Sequence, residues 1–206
     1  MSIPSLTSCA RRYAETWSRG ERPIFEGLAS DDRVDRLHAL QKGAGYFRIA
    51  RSFHKKFDVG RGLERFAPVL DVLEPLRTSK LGMDTMCSTV AALRVKLGRD
   101  YGGVDLLSAA TKLLWLLRRN PAIIYDSRAR FALGTPLGNY EKYVELWQRG
   151  YRASRSEIHD ASAALPSRVL KRIPCSRGEA PEWFHQRVYD IYLWSAGARR
   201  RRVSAG

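Results

Sequence analysis

Three cysteines, Cys9, Cys87 and Cys175, stand far apart in a chain of 206 residues. That spacing excludes a disulfide framework and any thiolate cluster, and it predicts a reducing, cytoplasmic setting. The histidines His38, His54, His159 and His185 are equally scattered, and no pair among them has a spacing that recommends metal ligation. No cofactor or metal is therefore expected. No apolar run is long enough to cross a bilayer, no secretory signal is recognisable, and no repeat or low-complexity linker marks off a domain. Acids are also scarce. There are 21 Asp and Glu against 36 Lys and Arg, a formal charge of +15. The excess favours a polyanionic partner through long-range attraction, without distinguishing DNA from RNA or a membrane surface.

What is present reads as helix. Residues 5–18 predict a first helix, ended by Gly20 and Pro23. Residues 31–53 read as two helical segments interrupted by Gly43 and Gly45. Leu63, Phe66, Val69, Leu70 and Leu73 repeat at helical spacing, with Pro68 expected to bend or divide the element. A helix over Thr89–Leu97 takes Ser88 as its cap, and further helices are expected around 139–149, 155–164 and 181–195. In the last of these, Phe184, Val188 and Ile191 form a core-facing line. His185 and Asp190 are acid–base candidates there, but the better reading is a helix that closes the core. The expected fold is mainly α: one compact helical unit over 1–206, divisible into two lobes. Arg199 to Arg202 open an exposed basic tail over 199–206.

The segment Val104–Arg119 is the most informative. At 100° per residue, Leu106, Leu107, Ala110, Leu113, Leu114 and Leu117 share a broad apolar face. Lys112 borders that arc, so its amine can enter a partly desolvated cleft. Trp115 falls on the polar remainder, where it either packs against another element or lines a site. Asn120-Pro121 breaks the helix, and Ile123 to Tyr125 extend. Asp126 caps a helix over Ser127–Leu133 that Gly134 and Pro136 stop. A lysine followed fourteen positions later by a carboxylate at a helix start, in so basic a chain, points to chemistry on a nucleic acid.

Ser108-Ala109-Ala110-Thr111-Lys112, followed by Pro121-Ala122-Ile123-Ile124-Tyr125-Asp126, resembles the core of the helix-hairpin-helix DNA glycosylase superfamily, which includes endonuclease III-like and 8-oxoguanine glycosylases. The match covers residues 99–133. It implies two helical lobes around a DNA-binding cleft, with Lys112 as nucleophile and Asp126 as the assisting carboxylate. The chain departs from the family in two respects. Asp105-Leu106-Leu107-Ser108 stands where the glycine-containing hairpin belongs, with Tyr101-Gly102-Gly103 the nearest turn. The lysine-to-aspartate separation is also short by several residues.

The chemistry follows from the residue types. Breaking an N-glycosidic bond needs an anion near the developing positive charge, which a carboxylate supplies. It also needs a nucleophile at the anomeric carbon, and a neutral lysine amine forms a Schiff base there. Trp115 and Tyr125 are candidates for the wall of a base pocket. Arg118, Arg119, Arg128 and Arg130 are candidates for positioning the phosphate backbone. The leading expectation is a DNA glycosylase, with possible abasic-site lyase chemistry, acting on double-stranded DNA that carries a modified or mismatched base. Each residue also has a plainer reading: Lys112 snorkelling to water, Asp126 as a cap, and the aromatics as core. The alternatives are a non-enzymatic DNA-binding protein and a helical protein-interaction module.

Overall fold

A computed structural model describes residues 3–53, 64–103, 105–176 and 178–203, the last five as backbone only. Among them the regular structure is helical, with no strand beyond an isolated antiparallel bridge between Ser176 and Glu179. The helices are α1 (Leu6–Trp17), α2 (Glu21–Ala29), α3 (Arg33–Tyr46), α4 (Ala67–Leu73), α5 (Met83–Asp100) and α6 (Leu107–Leu117). They continue with α7 (Ser127–Leu133), α8 (Tyr140–Ala153), α9 (Arg155–Ala163), α10 (Ser167–Leu170) and α11 (Glu182–Val203). No described helix is long and apolar enough to cross a membrane.

The contacts divide the chain into two compact units. One takes both ends of the sequence, residues 1–19 and 125–206, and the other is the continuous stretch 20–124. In the first unit α11 is the central element and packs on α7, α1 and α9. Its aromatic residues meet those of α1: Tyr13 stacks on Phe184 at 5.1 Å, and the Trp17 and Trp183 rings lie 4.7 Å apart. α8 adds Trp147, whose ring lies 5.3 Å from Tyr189 and whose indole N–H donates to the buried Asp190 carboxylate at 2.7 Å. Asp190 thus faces α8. The short α7 is fixed at both ends. The Asp126 carboxylate accepts from the Arg128 amide at 2.9 Å, and Gly134 ends the helix in the left-handed region at φ 67°.

In the second unit α6 packs against α2, α3 and α5. Every residue from Ala109 to Leu116 is buried. The polar face expected at Thr111, Lys112 and Trp115 is therefore closed over by protein, because α6 lies among helices and not upon them.

Local chemistry sets several boundaries where spacing misplaces them. α3 runs unbroken through Gly43 and Gly45. Gly43 is a contact point, since a Cβ there would sit 2.6 Å from Leu116 Cδ1 and 3.2 Å from Ile24 Cγ2. Pro68 lies in the first turn of α4, where no amide hydrogen is required of it, and so begins the helix instead of bending it. α5 starts at Met83, six residues before the expected Thr89 (89 − 83), because the Thr85 hydroxyl accepts from the Gly82 amide. Ser88 is not its cap; its hydroxyl bonds back to the Thr85 carbonyl. α11 carries its helical backbone through Arg199–Arg202. The side chains of that expected tail, and residues 204–206, lie outside the described residues.

Candidate functional site

The eight residues singled out from sequence fall four to each unit. Lys112, Trp115, Arg118 and Arg119 belong to the unit 20–124; Tyr125, Asp126, Arg128 and Arg130 belong to the other.

Lys112 is 8 % exposed, on a helix buried nearly all round. The turn before that helix is the expected one: Gly102 and Gly103 take φ 86° and 77°, and the Gly103 amide bonds the Gly98 carbonyl at the end of α5. Trp115 is buried, and its indole N–H donates to the buried Glu21 carboxylate at 3.2 Å. The Arg118 guanidinium faces the carbonyls of Leu76, Arg77 and Ser79 at 3.0, 3.3 and 2.7 Å. It serves as a clasp on the segment after α4. Arg119 lies 3.5 Å from the centre of the Phe25 ring. A small cleft in this unit is lined by Phe25, Leu28, Ala29, Arg77, Leu116 and Leu117, so neither Lys112 nor Trp115 borders it.

In the other unit the Tyr125 hydroxyl accepts from the Gly138 amide at 2.9 Å, and its ring packs on Tyr143 and Tyr140. Arg128 covers the Trp194 ring at 4.1 Å, and Arg130 donates to the Thr135 carbonyl at 2.5 Å. Arg118, Arg128 and Arg130 are thus held by their own fold, which reduces what they can offer a phosphate chain.

Other cations are exposed and bear no such ties. Arg11 and Arg12 lie on the outer face of α1; Arg168, Lys171 and Arg172 surround α10, which packs against α1. None of the five forms an ion pair among the described residues.

A third constellation was missed by sequence spacing. His159 on α9 and Glu182 and His185 on α11 bring one ligand atom each within 4.8 Å of one another. The imidazoles lie 3.9 Å apart, tilted by 31°. Glu182 Oε2 is 3.9 Å from both His159 Nε2 and His185 Nδ1, and Arg155 approaches the same oxygen to 3.6 Å. The other oxygen, Oε1, accepts from the Tyr151 hydroxyl at 2.9 Å. Burial, helped by the facing His159 and opposed by Glu182, pulls the His185 imidazole down to about 4, so the ring is neutral at pH 7. The legible signal was Glu182-x-x-His185, which places two donors one helical turn apart on the same face. His159 lies too far away in sequence to have been joined to them. Of the other acid–base candidate on α11, Asp190, one oxygen accepts from the Trp147 indole and the second lies 3.9 Å from Arg187.

Comparison with protein-family models, with curated proteins and with solved structures finds no match for this chain.

Proposed function

We propose that the protein binds nucleic acid, with the phosphate backbone of DNA as ligand and the surface of α1 and α10 as the contact. The observation that carries this reading is the exposed group Arg11, Arg12, Arg168, Lys171 and Arg172, five cations without ion pairs among the described residues, in a chain of net charge +15. A surface with an excess of cations, five against the exposed Glu15 on α1, attracts a polyanion at long range, and each phosphate neutralised releases condensed counterions. Binding of this kind positions the duplex and does not read its sequence.

The test is the salt dependence of affinity for a duplex. Binding is expected to weaken steeply with salt, and replacing Arg168, Lys171 and Arg172 together by Ala should lower the log–log slope by roughly 2–3, at about 0.9 per phosphate contact. A slope unchanged in that variant, or salt-insensitive binding, overturns the reading; the latter would favour a protein partner.

A second reading, a lysine-dependent DNA glycosylase, is favoured by one observation. Lys112 is buried on α6, which begins at Leu107, four residues after Gly103 of the preceding turn. Removal of water from an amine is the condition under which lysine acts as a nucleophile. Borohydride should then trap a covalent adduct on duplexes bearing modified or mismatched bases, and Lys112→Gln should abolish it. Full trapping by that variant removes Lys112 from the role. Binding without base release leaves the first reading alone.

A further inference from the structure

We infer that His159, Glu182 and His185 form a binding site for one zinc-class divalent cation, held between α9 and α11. The inference is independent of nucleic-acid binding.

The donor set is the first argument. Two imidazoles and one carboxylate suit borderline cations such as Zn²⁺, Co²⁺ or Ni²⁺, whereas Mg²⁺ and Ca²⁺ prefer oxygen throughout. Glu182 and His185 stand one turn apart on α11, and α9, which packs against α11, supplies His159 opposite them. Glu182 Oε2 is equidistant, at 3.9 Å, from His159 Nε2 and His185 Nδ1. Tetrahedral zinc sites place such atoms roughly 3.4 Å apart, so a bound ion would draw the carboxylate oxygen towards each nitrogen by about 0.5 Å and close the widest separation, up to 4.8 Å, by about 1.4 Å. That adjustment is within the reach of side-chain torsions.

The second argument is independent of the clustering. His185 is only 4 % exposed, and its Nδ1 is buried without a hydrogen-bond partner among the described residues. A buried polar nitrogen in that condition carries an uncompensated loss of hydration. This nitrogen faces Glu182 Oε2 and the His159 ring, where a cation would satisfy it.

The surroundings complete the site. Tyr151 holds Oε1 of Glu182, which leaves Oε2 facing the rings, the work of an outer partner that orients a ligand. The His159 and Glu182 side chains are 44 % and 36 % exposed, so an ion can enter from solvent. Three protein donors leave a coordination position for water. Arg155, at 3.6 Å from Oε2 and 59 % exposed, is a cation that opposes binding, and its long side chain can swing outward.

The test is titration of the full-length, metal-stripped protein with Zn²⁺ against a chromogenic chelator, with Co²⁺ absorption as the spectroscopic check. One tight equivalent is expected, with a rise in Tm on addition of Zn²⁺. His159→Ala, at an exposed position that leaves the core intact, should weaken binding by about 100-fold or more. Tyr151→Phe should weaken it by about tenfold, the scale on which outer partners act. Arg155→Ala should tighten it. Absence of a stoichiometric equivalent overturns the site. So does Zn²⁺ binding that His159→Ala leaves unchanged, because that ion would lie elsewhere on the chain.

Discussion

At the scale of single residues, Asp126 shows how a site candidate and a structural device can share one carboxylate. It accepts from the Arg128 amide and so satisfies a donor that α7 leaves open at its first turn. If capping is its whole role, Asp126→Ala should cost about 1 kcal/mol in urea denaturation, and Asp126→Asn, with an equivalent acceptor, should be nearly neutral. A loss with Asn as large as that with Ala would assign the work to the charge. The tyrosines give a second prediction. Burial, with Asp190 and Tyr192 nearby, pushes the Tyr189 phenol up to about 12, and burial raises Tyr143 well above its ordinary value. Unfolded tyrosine ionises near about 10. The folded pKa is the higher one, so the contribution of these phenols is fully present below pH ~10 and is lost as pH rises towards about 12. Urea midpoints should therefore fall over that window, with the tyrosinate absorbance of these buried rings appearing only as the protein unfolds. Normal titration of all tyrosines in folded protein would refute the burial argument.

Among the elements, glycines decide how closely helices approach, and their neighbours decide what a methyl group costs. A Cβ on Gly197 of α11 would lie 1.8 Å from the backbone carbonyl oxygen of Arg128 in α7. Backbone cannot yield without parting the two helices, so Gly197→Ala should destabilise by about 3 kcal/mol, the upper range of overpacking. At Gly43 the obstacles are the ends of two side chains, Leu116 and Ile24, which can shift where a backbone carbonyl cannot. The clash is then offset by the better helix propensity of Ala, and Gly43→Ala should stay within about 1 kcal/mol of wild type. Equal costs at the two positions, measured by urea denaturation, would show that neighbour type does not control the outcome. The same glycines mark where sequence reading failed. The 3.6-residue period places α1 and α9 within a residue of their limits and ends α8 four residues early, while Asp126 and Gly134 announce both ends of α7. A buried helix–helix contact at Gly43 looks identical to a break when only the local pattern is visible. Spacing puts Trp115 on a polar face and Lys112 only at its border for a related reason: periodicity records which residues are apolar, not how many neighbours surround the helix.

For the whole molecule, the decisive facts are charge and the return of the chain ends to one unit. Tyr13 and Trp17 reach Phe184 and Trp183 across more than 160 positions, and His159 reaches Glu182 and His185 by helix packing. Neither meeting is encoded by local spacing, which is why the His–Glu–His constellation was invisible while the basic balance was plain. That balance acts in two opposite directions. An excess of 15 positive charges repels itself in the compact state, and salt screens the repulsion. Raising NaCl from about 20 mM to about 200 mM shortens the screening length from about 20 Å to about 7 Å, below the dimensions of either helical unit. Free protein should therefore gain stability, by about 1 kcal/mol or a Tm rise of about 2–4 °C, over the same interval in which its affinity for a duplex falls. A protein whose basic groups were balanced by neighbouring acids would show neither trend. A Tm that is flat or falls with salt, alongside duplex binding that still weakens, would confine the uncompensated charge to the contact surface. Opposite trends in stability and binding would place it over the molecule as a whole.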